Sequence, residues 1–356
     1  MSIYGENLKL SIFGQSHSAY IGMSLEGIPA GLELDFNELQ SFLSRRAPGK
    51  SELSSRRNEE DIPEFIAGIK DGFSCGNAIT AIIKNTDCRP ADYENLKYSP
   101  RPGHADYTAG IKYGGFQDYS GGGQFSGRMT APLCIAGGIC IQILEKMGIK
   151  IISRILSIGD IEDTGQLNEA VCNKAFPVMD DEKGEKMQSL IKELKAKGNS
   201  VGGVIECAVL NPPAGLGGPL FEGMESRISA LAFGIPGVKG IDFGAGIDSA
   251  KMLGSENNDR FILKDGKVQT LSNNCGGILG GITNAMPLSF RLYIKPTPSI
   301  GLPQKTLDLK TMEEKELIIK GRHDPCIVPR ILPSAESAAA IALYDAWLTK
   351  MREMRP

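Results

Sequence analysis

Hydrophobic and polar positions divide this chain into strand-like runs, a few helical stripes and long polar, glycine-rich intervals. Residues 7–13 alternate weakly and predict a strand that stops at Phe13-Gly14-Gln15-Ser16-His17-Ser18. Residues 25–32 are a turn, and Asp35 with Glu38 three positions later predicts a capping box opening a helix. Leu39, Phe42 and Leu43 form its apolar stripe. Arg46 falls on the same stripe at the last turn, so its guanidinium is expected at the edge of the buried face, and Pro48-Gly49 ends the helix. Two strand-like runs lie in 66–85, of which 78–83 is the clearer. Residues 131–146 predict a buried helix, 150–158, 201–210 and 287–294 strands, and 225–233 a short helix. From about 334 to 351 a last helix puts Ala338, Ile341, Ala342, Asp345 and Leu348 on one stripe. A carboxylate there must be paired, metal-bound or functional, because burying it alone is costly. A salt bridge to an arginine and a catalytic role stand level.

Residues 162–199 are the most charged part, with helical spacing over 187–197 and Gly198 as its stop, and read as a variable, peripheral connection. No repeat or low-complexity tract interrupts 1–356, and the length allows one large domain or two ordinary ones. The most apolar run, 131–144, is too short to span a bilayer, and the N-terminus lacks the pattern of a signal peptide. Eight cysteines without a C-x-x-C pair or zinc-ligand spacing predict reduced, mostly buried thiols of a cytoplasmic protein. A net charge of -3 creates no global field that selects nucleic acid or a membrane.

Candidate chemistry is concentrated in 101–128. This stretch holds one of three histidines, His104, together with Arg101, Arg128, Ser126 and the run Gly121-Gly122-Gly123. Glycine lets backbone come close to a ligand, and the N–H groups of a following helix suit an anion. His17 lies between two serines, and His323 follows Gly321-Arg322. Arg45, Arg46, Lys50, Arg56 and Arg57 face a single Glu52, a local basic loop suited to a small polyanion. In Lys295-Pro296-Thr297-Pro298-Ser299 the prolines hold an extended loop whose amine and hydroxyls suit a phosphate. No dinucleotide or Walker A framework is present. The residues point to proton transfer around a polyanion. An RNA- or anion-binding module on 45–57 and 89–101 is the non-enzymatic alternative.

Seven motifs in one order then carry a resemblance: GQSHSAYIG at 14–22, RRAPG at 45–49, RPGHADY at 101–107, GGGQFSGRMTAP at 121–132, NNCGGILGGI at 273–282, KPTPS at 295–299 and GRHDPCIVPR at 321–330. The chain closely resembles the chorismate synthase family up to Asp345. The resemblance implies an α+β fold, a single-domain β-α-β sandwich, assembled as a homotetramer. It also implies reduced FMN as cofactor and anti-1,4 elimination of phosphate from 5-enolpyruvylshikimate 3-phosphate, giving chorismate. His17, His104 and Asp345 match the family's catalytic positions. Arg46, Arg57, Arg101, Ser126 and Arg128 match substrate positions. FMN contacts carry over to Gln124, Phe125, Ser126, Gly280, Lys295, Pro296, Thr297, Pro298, Ser299 and Arg322. Arg46 also matches a nicotinamide position, with NADPH acting only as a reductant of the flavin. His323 is left as structural. Gln15, Ser18, Glu52, Gln124 and Phe125 depart from the family's common residues.

Overall fold

Three helices fill the middle of the fold, and two adjacent glycines explain how closely they meet. The computed structural model describes residues 2–49, 52–54, 57, 59–87, 93, 95–319 and 323–354. Helix Thr130–Lys146 is buried along most of its length. A Cβ on Gly137 would lie 2.2 Å from Cβ of Ser337, on helix Val328–Glu353. One on Gly138 would lie 2.5 Å from Leu39, on helix Phe36–Arg46. Glycine inside a helix costs about 1 kcal/mol relative to alanine. Both glycines are retained because any side chain would push the neighbouring helices apart. Ala335, Ala338, Ala339 and Ala342 keep the C-terminal helix equally slim at this crossing.

Two five-stranded antiparallel sheets flank the helices. The N-terminal sheet has the order Ser2–Tyr4, Lys9–Gly14, Tyr20–Glu26, Ile79–Lys84, Glu64–Ala67. The second has the order Val238–Phe243, Leu288–Ile294, Gly203–Leu210, Lys150–Ile158, Ile161–Glu162. Helix Thr130–Lys146 packs on the first sheet and helix Val328–Glu353 on the second. In strand Leu288–Ile294 every second residue (Leu288, Phe290, Leu292, Ile294) points into the core, as a half-buried strand requires. One apolar cluster joins both sheets through the helices. This is the expected α+β sandwich of sheet, helices and sheet.

Several local expectations need revision. Asp35 does cap its helix, accepting from the N–H groups of Asn37 and Glu38, each at 2.9 Å. The reciprocal half of the box is absent, because the Asp35 N–H donates to Gln142 Oε1 of the central helix at 3.0 Å. Arg46 is 2% exposed and fully inside, not at an edge. The 162–199 segment is not peripheral in packing: its helix runs Asp181–Ala196, and Met187 and Ile191 are buried in the main core. The apolar stretch Gly127–Lys146 is long enough to cross a membrane by length and composition, but 83% of it is buried inside the fold. Helix Asp106–Lys112 and the hairpin strands Phe261–Lys264 with Lys267–Thr270 had no clear apolar signature. All seven described cysteines are free, with Cys134, Cys140, Cys207 and Cys326 buried.

Candidate active site

His17 is carried by the turn between strands Lys9–Gly14 and Tyr20–Glu26. Ser16 beside it is wholly buried; its N–H donates to the Gly123 carbonyl at 3.1 Å and its hydroxyl to the Ser120 carbonyl at 3.1 Å. The Ser16 oxygen therefore accepts from His17 Nδ1, 3.0 Å away, and the ring packs edge-on against Tyr93. His104 stands just before helix Asp106–Lys112, with Nδ1 2.6 Å from Asp106 Oδ1. A carboxylate at Nδ1 keeps the proton on that nitrogen and leaves Nε2 for chemistry.

The glycine run lies between these two rings. A Cβ on Gly121 would fall 2.1 Å from His17 Cε1, and one on Gly122 would fall 3.1 Å from His104 Nε2. Both residues also have positive φ, +64° and +112°, so glycine is required here on two counts.

Both histidines open onto one cavity of about 350 Å³. Arg46, Arg57, Arg101, Arg128, Arg330 and Lys295 line it, as do Phe125, Ser126 and the Pro296-Thr297-Pro298-Ser299 segment. This volume is in the range of small-molecule sites. Burial, with Lys239 nearby, holds the Lys295 ammonium below its usual range, and its Nζ donates to the Gly103 carbonyl at 2.5 Å.

Each arginine is held by an acid that the sequence reading passed over. Asp61 bridges Arg46, at 2.5 Å, and Arg128. Glu59 reaches Arg57 at 2.8 Å and Arg128 at 3.4 Å. Asp106 takes both Nε and Nη2 of Arg101, at 2.7 Å each, and Asp324 pairs with Arg330. Burial works to raise the Asp61 and Glu59 carboxyls, but the arginines outweigh it and hold both below their ordinary values. The available signal was Glu59-Glu60-Asp61 directly after the basic run, since a buried arginine needs an anion.

The expected residues do not all meet. Asp345 is absent from the cavity wall. It is 1% exposed and accepts from the N–H groups of Asn7 and Leu8 at 2.9 and 2.8 Å, and from Arg227 at 2.9 Å. That is the salt-bridge alternative, and the partner was invisible because Arg227 is 118 residues away. Gly280 sits in the turn joining Ile278–Leu279 to Ile282–Thr283, away from the cavity, and Gln124 is exposed beside it without lining it. Arg45 of the basic run turns away to Glu336 at 2.7 Å. Arg322, Lys50 and Arg56 lie outside the described residues. His323, left as structural or as a support behind the site, lines the cavity; burial, then Arg101, pushes it down to about 4, and its Nε2 has no hydrogen-bond partner among the described residues. Among the described residues no cluster suits a metal.

Residues 8–348 match the model of the family described as chorismate synthase. The chain is 44% identical to chorismate synthase of Lancefieldella parvula, with 97% of this chain and 95% of that protein covered. It is 45% identical to that of Pyrococcus abyssi, covering 96% of each. A crystal structure of chorismate synthase superposes with a TM-score of 0.77 at 29% identity, covering 98% of this chain and 93% of the other. The family match and the relatives place the protein among carbon–oxygen lyases acting on phosphates. Within that class the chain belongs to the chorismate synthase family, which catalyses the last step of the shikimate pathway.

Proposed function

We propose that the cleft between His17 and His104 binds 5-enolpyruvylshikimate 3-phosphate beside reduced FMN and eliminates phosphate to form chorismate. One observation carries this reading: two histidines flank a glycine saddle on the wall of a cavity that also holds six cationic side chains. The substrate has two carboxylates and a phosphate, and arginine forks match such groups. Arg57, Arg101, Arg128 and Ser126 are its proposed contacts. The two imidazoles, each fixed through Nδ1, handle protons at Nε2.

The residues fit a flavin. Thr297 Oγ1 and His323 Nε2 are buried on the cavity wall without hydrogen-bond partners among the described residues, which suits a polar ligand seated there. Phe125, Pro296, Ile327 and Ile331 supply an apolar wall for a flat ring. Lys295, Thr297 and Ser299 would hold the FMN phosphate. When bound in reduced form, FMN supplies the transient electron that loosens the carbon–oxygen bond. Arg46 commits three of its N–H groups to Thr130, Asp61 and Gly127, which fixes its guanidinium in the cavity wall and leaves two donors for a ligand anion. NADPH is proposed only as a reductant of the flavin.

Free thiols throughout the described cysteines support a reducing, cytoplasmic setting. A homotetramer is the proposed assembly. Exposed Phe261, Leu263, Val268 and Leu271, on and beside one hairpin, support a face covered by another copy.

Mixing the protein anaerobically with chemically reduced FMN and the phosphorylated substrate tests the reading. Phosphate release with a change in flavin absorbance is expected. No release would overturn it.

A further inference from the structure

The acids behind the cleft arginines do more than the proposed reaction asks of a wall. Asp61 has no exposed side-chain surface, and its oxygens face Arg46 and Arg128. Its backbone has φ +54°, a left-handed conformation that only glycine, asparagine and aspartate adopt readily. Glu59, two residues before it, takes Arg57 and Arg128, together with the Thr86 hydroxyl at 3.1 Å. Neither carboxylate lines the cavity; both stand behind guanidinium groups that do.

The donor count makes the arrangement specific. A guanidinium has five N–H groups. Arg46 gives three to Thr130, Asp61 and Gly127. Arg128 gives three to Asn85, Asp61 and Glu59. Each keeps two donors in reserve, and Arg46, Arg57 and Arg128 together share the two carboxylates, leaving a net charge of about +1 rather than +3. A ligand phosphate therefore meets a clamp that is rigid and largely compensated. An unbalanced pair of buried arginines would hold an anion far more tightly.

We propose that Asp61, assisted by Glu59, is a positioning residue that sets the anion affinity of the Arg46–Arg128 clamp low enough for cleaved phosphate to leave. The inference rests on the reading that this cleft binds the phosphorylated substrate. The carboxylate forms no bond to the ligand. It orients two guanidiniums and subtracts from their charge, so turnover is not limited by product retention.

Asp61→Asn is the decisive variant, because asparagine keeps the shape and tolerates the left-handed backbone while removing the charge. Inorganic phosphate is the probe, titrated calorimetrically into native protein, Asp61→Asn, Glu59→Gln and the control Glu336→Gln. Glu336 is a buried carboxylate paired with Arg45 away from the cleft. On this proposal Asp61→Asn binds phosphate on the order of 10-fold more tightly. Its kcat and KM for the phosphorylated substrate fall together, and Glu336→Gln leaves phosphate affinity unchanged. Should Asp61→Asn fold only in phosphate buffer, the ion is replacing the missing anion, which also supports the proposal. Equal or weaker phosphate binding in a folded Asp61→Asn would overturn it. So would an Asp61→Asn that does not fold even with phosphate, if Glu59→Gln then binds phosphate no more tightly than native protein. Failure of native protein to bind phosphate in competition with substrate would instead strike at the reading of the cleft itself.

Discussion

His104 and Asp345 are the two residues on which sequence reasoning and packing diverge most usefully. His104 lies in the cleft, its Nδ1 tied to Asp106, and Nε2 is the atom placed to move a proton. Proton transfer acts in the transition state, so His104→Ala is expected to lower kcat by roughly 10²- to 10⁴-fold with little change in KM. Steady-state assay with reduced FMN measures this, and an equal loss in both parameters would make His104 a binding residue. Asp345 has the opposite profile. It joins the C-terminal helix to the backbone of Asn7 and Leu8 and to Arg227. Asp345→Asn should cost about 1–3 kcal/mol in stability by weakening a buried acceptor shared by Asn7, Leu8 and Arg227, although Arg227 keeps Glu222. Activity per folded molecule should stay within about 2-fold, and chemical denaturation beside the kinetic assay decides it. The histidines were legible because three in 356 residues all fell in polar, glycine- or proline-rich clusters. Asp345 was legible as an anomaly only, since periodicity identifies a buried face but cannot name what lies across it.

At the scale of elements, strongly patterned segments were readable nearly residue by residue. Strand Lys150–Ile158 has the expected bounds, and helix Thr130–Lys146 differs by one residue. Helix Val328–Glu353 starts six residues earlier than the periodicity indicated, because Pro329 sits in its first turn, where a missing N–H costs nothing. Short elements such as Asp106–Lys112 were lost because seven residues give too few turns to display a stripe. The glycines at 137 and 138 make a prediction at this scale. Gly137→Ala favours the isolated helix but drives a methyl into Ser337, whose Cα is 2.5 Å from the added Cβ. Overpacking should win and destabilise the fold by about 1–3 kcal/mol. A higher melting temperature for Gly137→Ala would mean the crossing can relax.

In the whole molecule, charge is arranged against composition. A net charge of -3 conceals a cleft where several arginines converge on carboxylates from distant segments. Those pairs set the acid limit of stability. Burial opposes ionisation of Glu59, Asp61 and Asp106, but their arginine partners hold all three below ordinary carboxylate values. A group depressed in the folded state contributes stability above its unfolded pKa and loses it as pH falls through the folded one. The melting temperature should therefore be highest near neutrality, decline below about pH 6.5 because buried His323 resists protonation, and drop more steeply below about pH 4. Asp61→Asn should soften that drop. An unchanged acid limb in that variant would show that other carboxylates dominate.

The sequence by itself determined the alternation and stripes that mark the longer strands and helices, the glycines that bring backbone close, and the positions of the two histidines, while the sheet–helix–sheet sandwich was legible only through the family resemblance. These are local properties, set by side-chain period and backbone freedom over a few residues. Only the tertiary structure decided which charge faces which: Arg46 and Arg128 share Asp61, Asp345 meets Arg227, and Gly121 and Gly122 separate the two imidazoles. Coulomb attraction and hydrogen bonding depend on distance in space, and linear order carries no record of that distance until the core has packed.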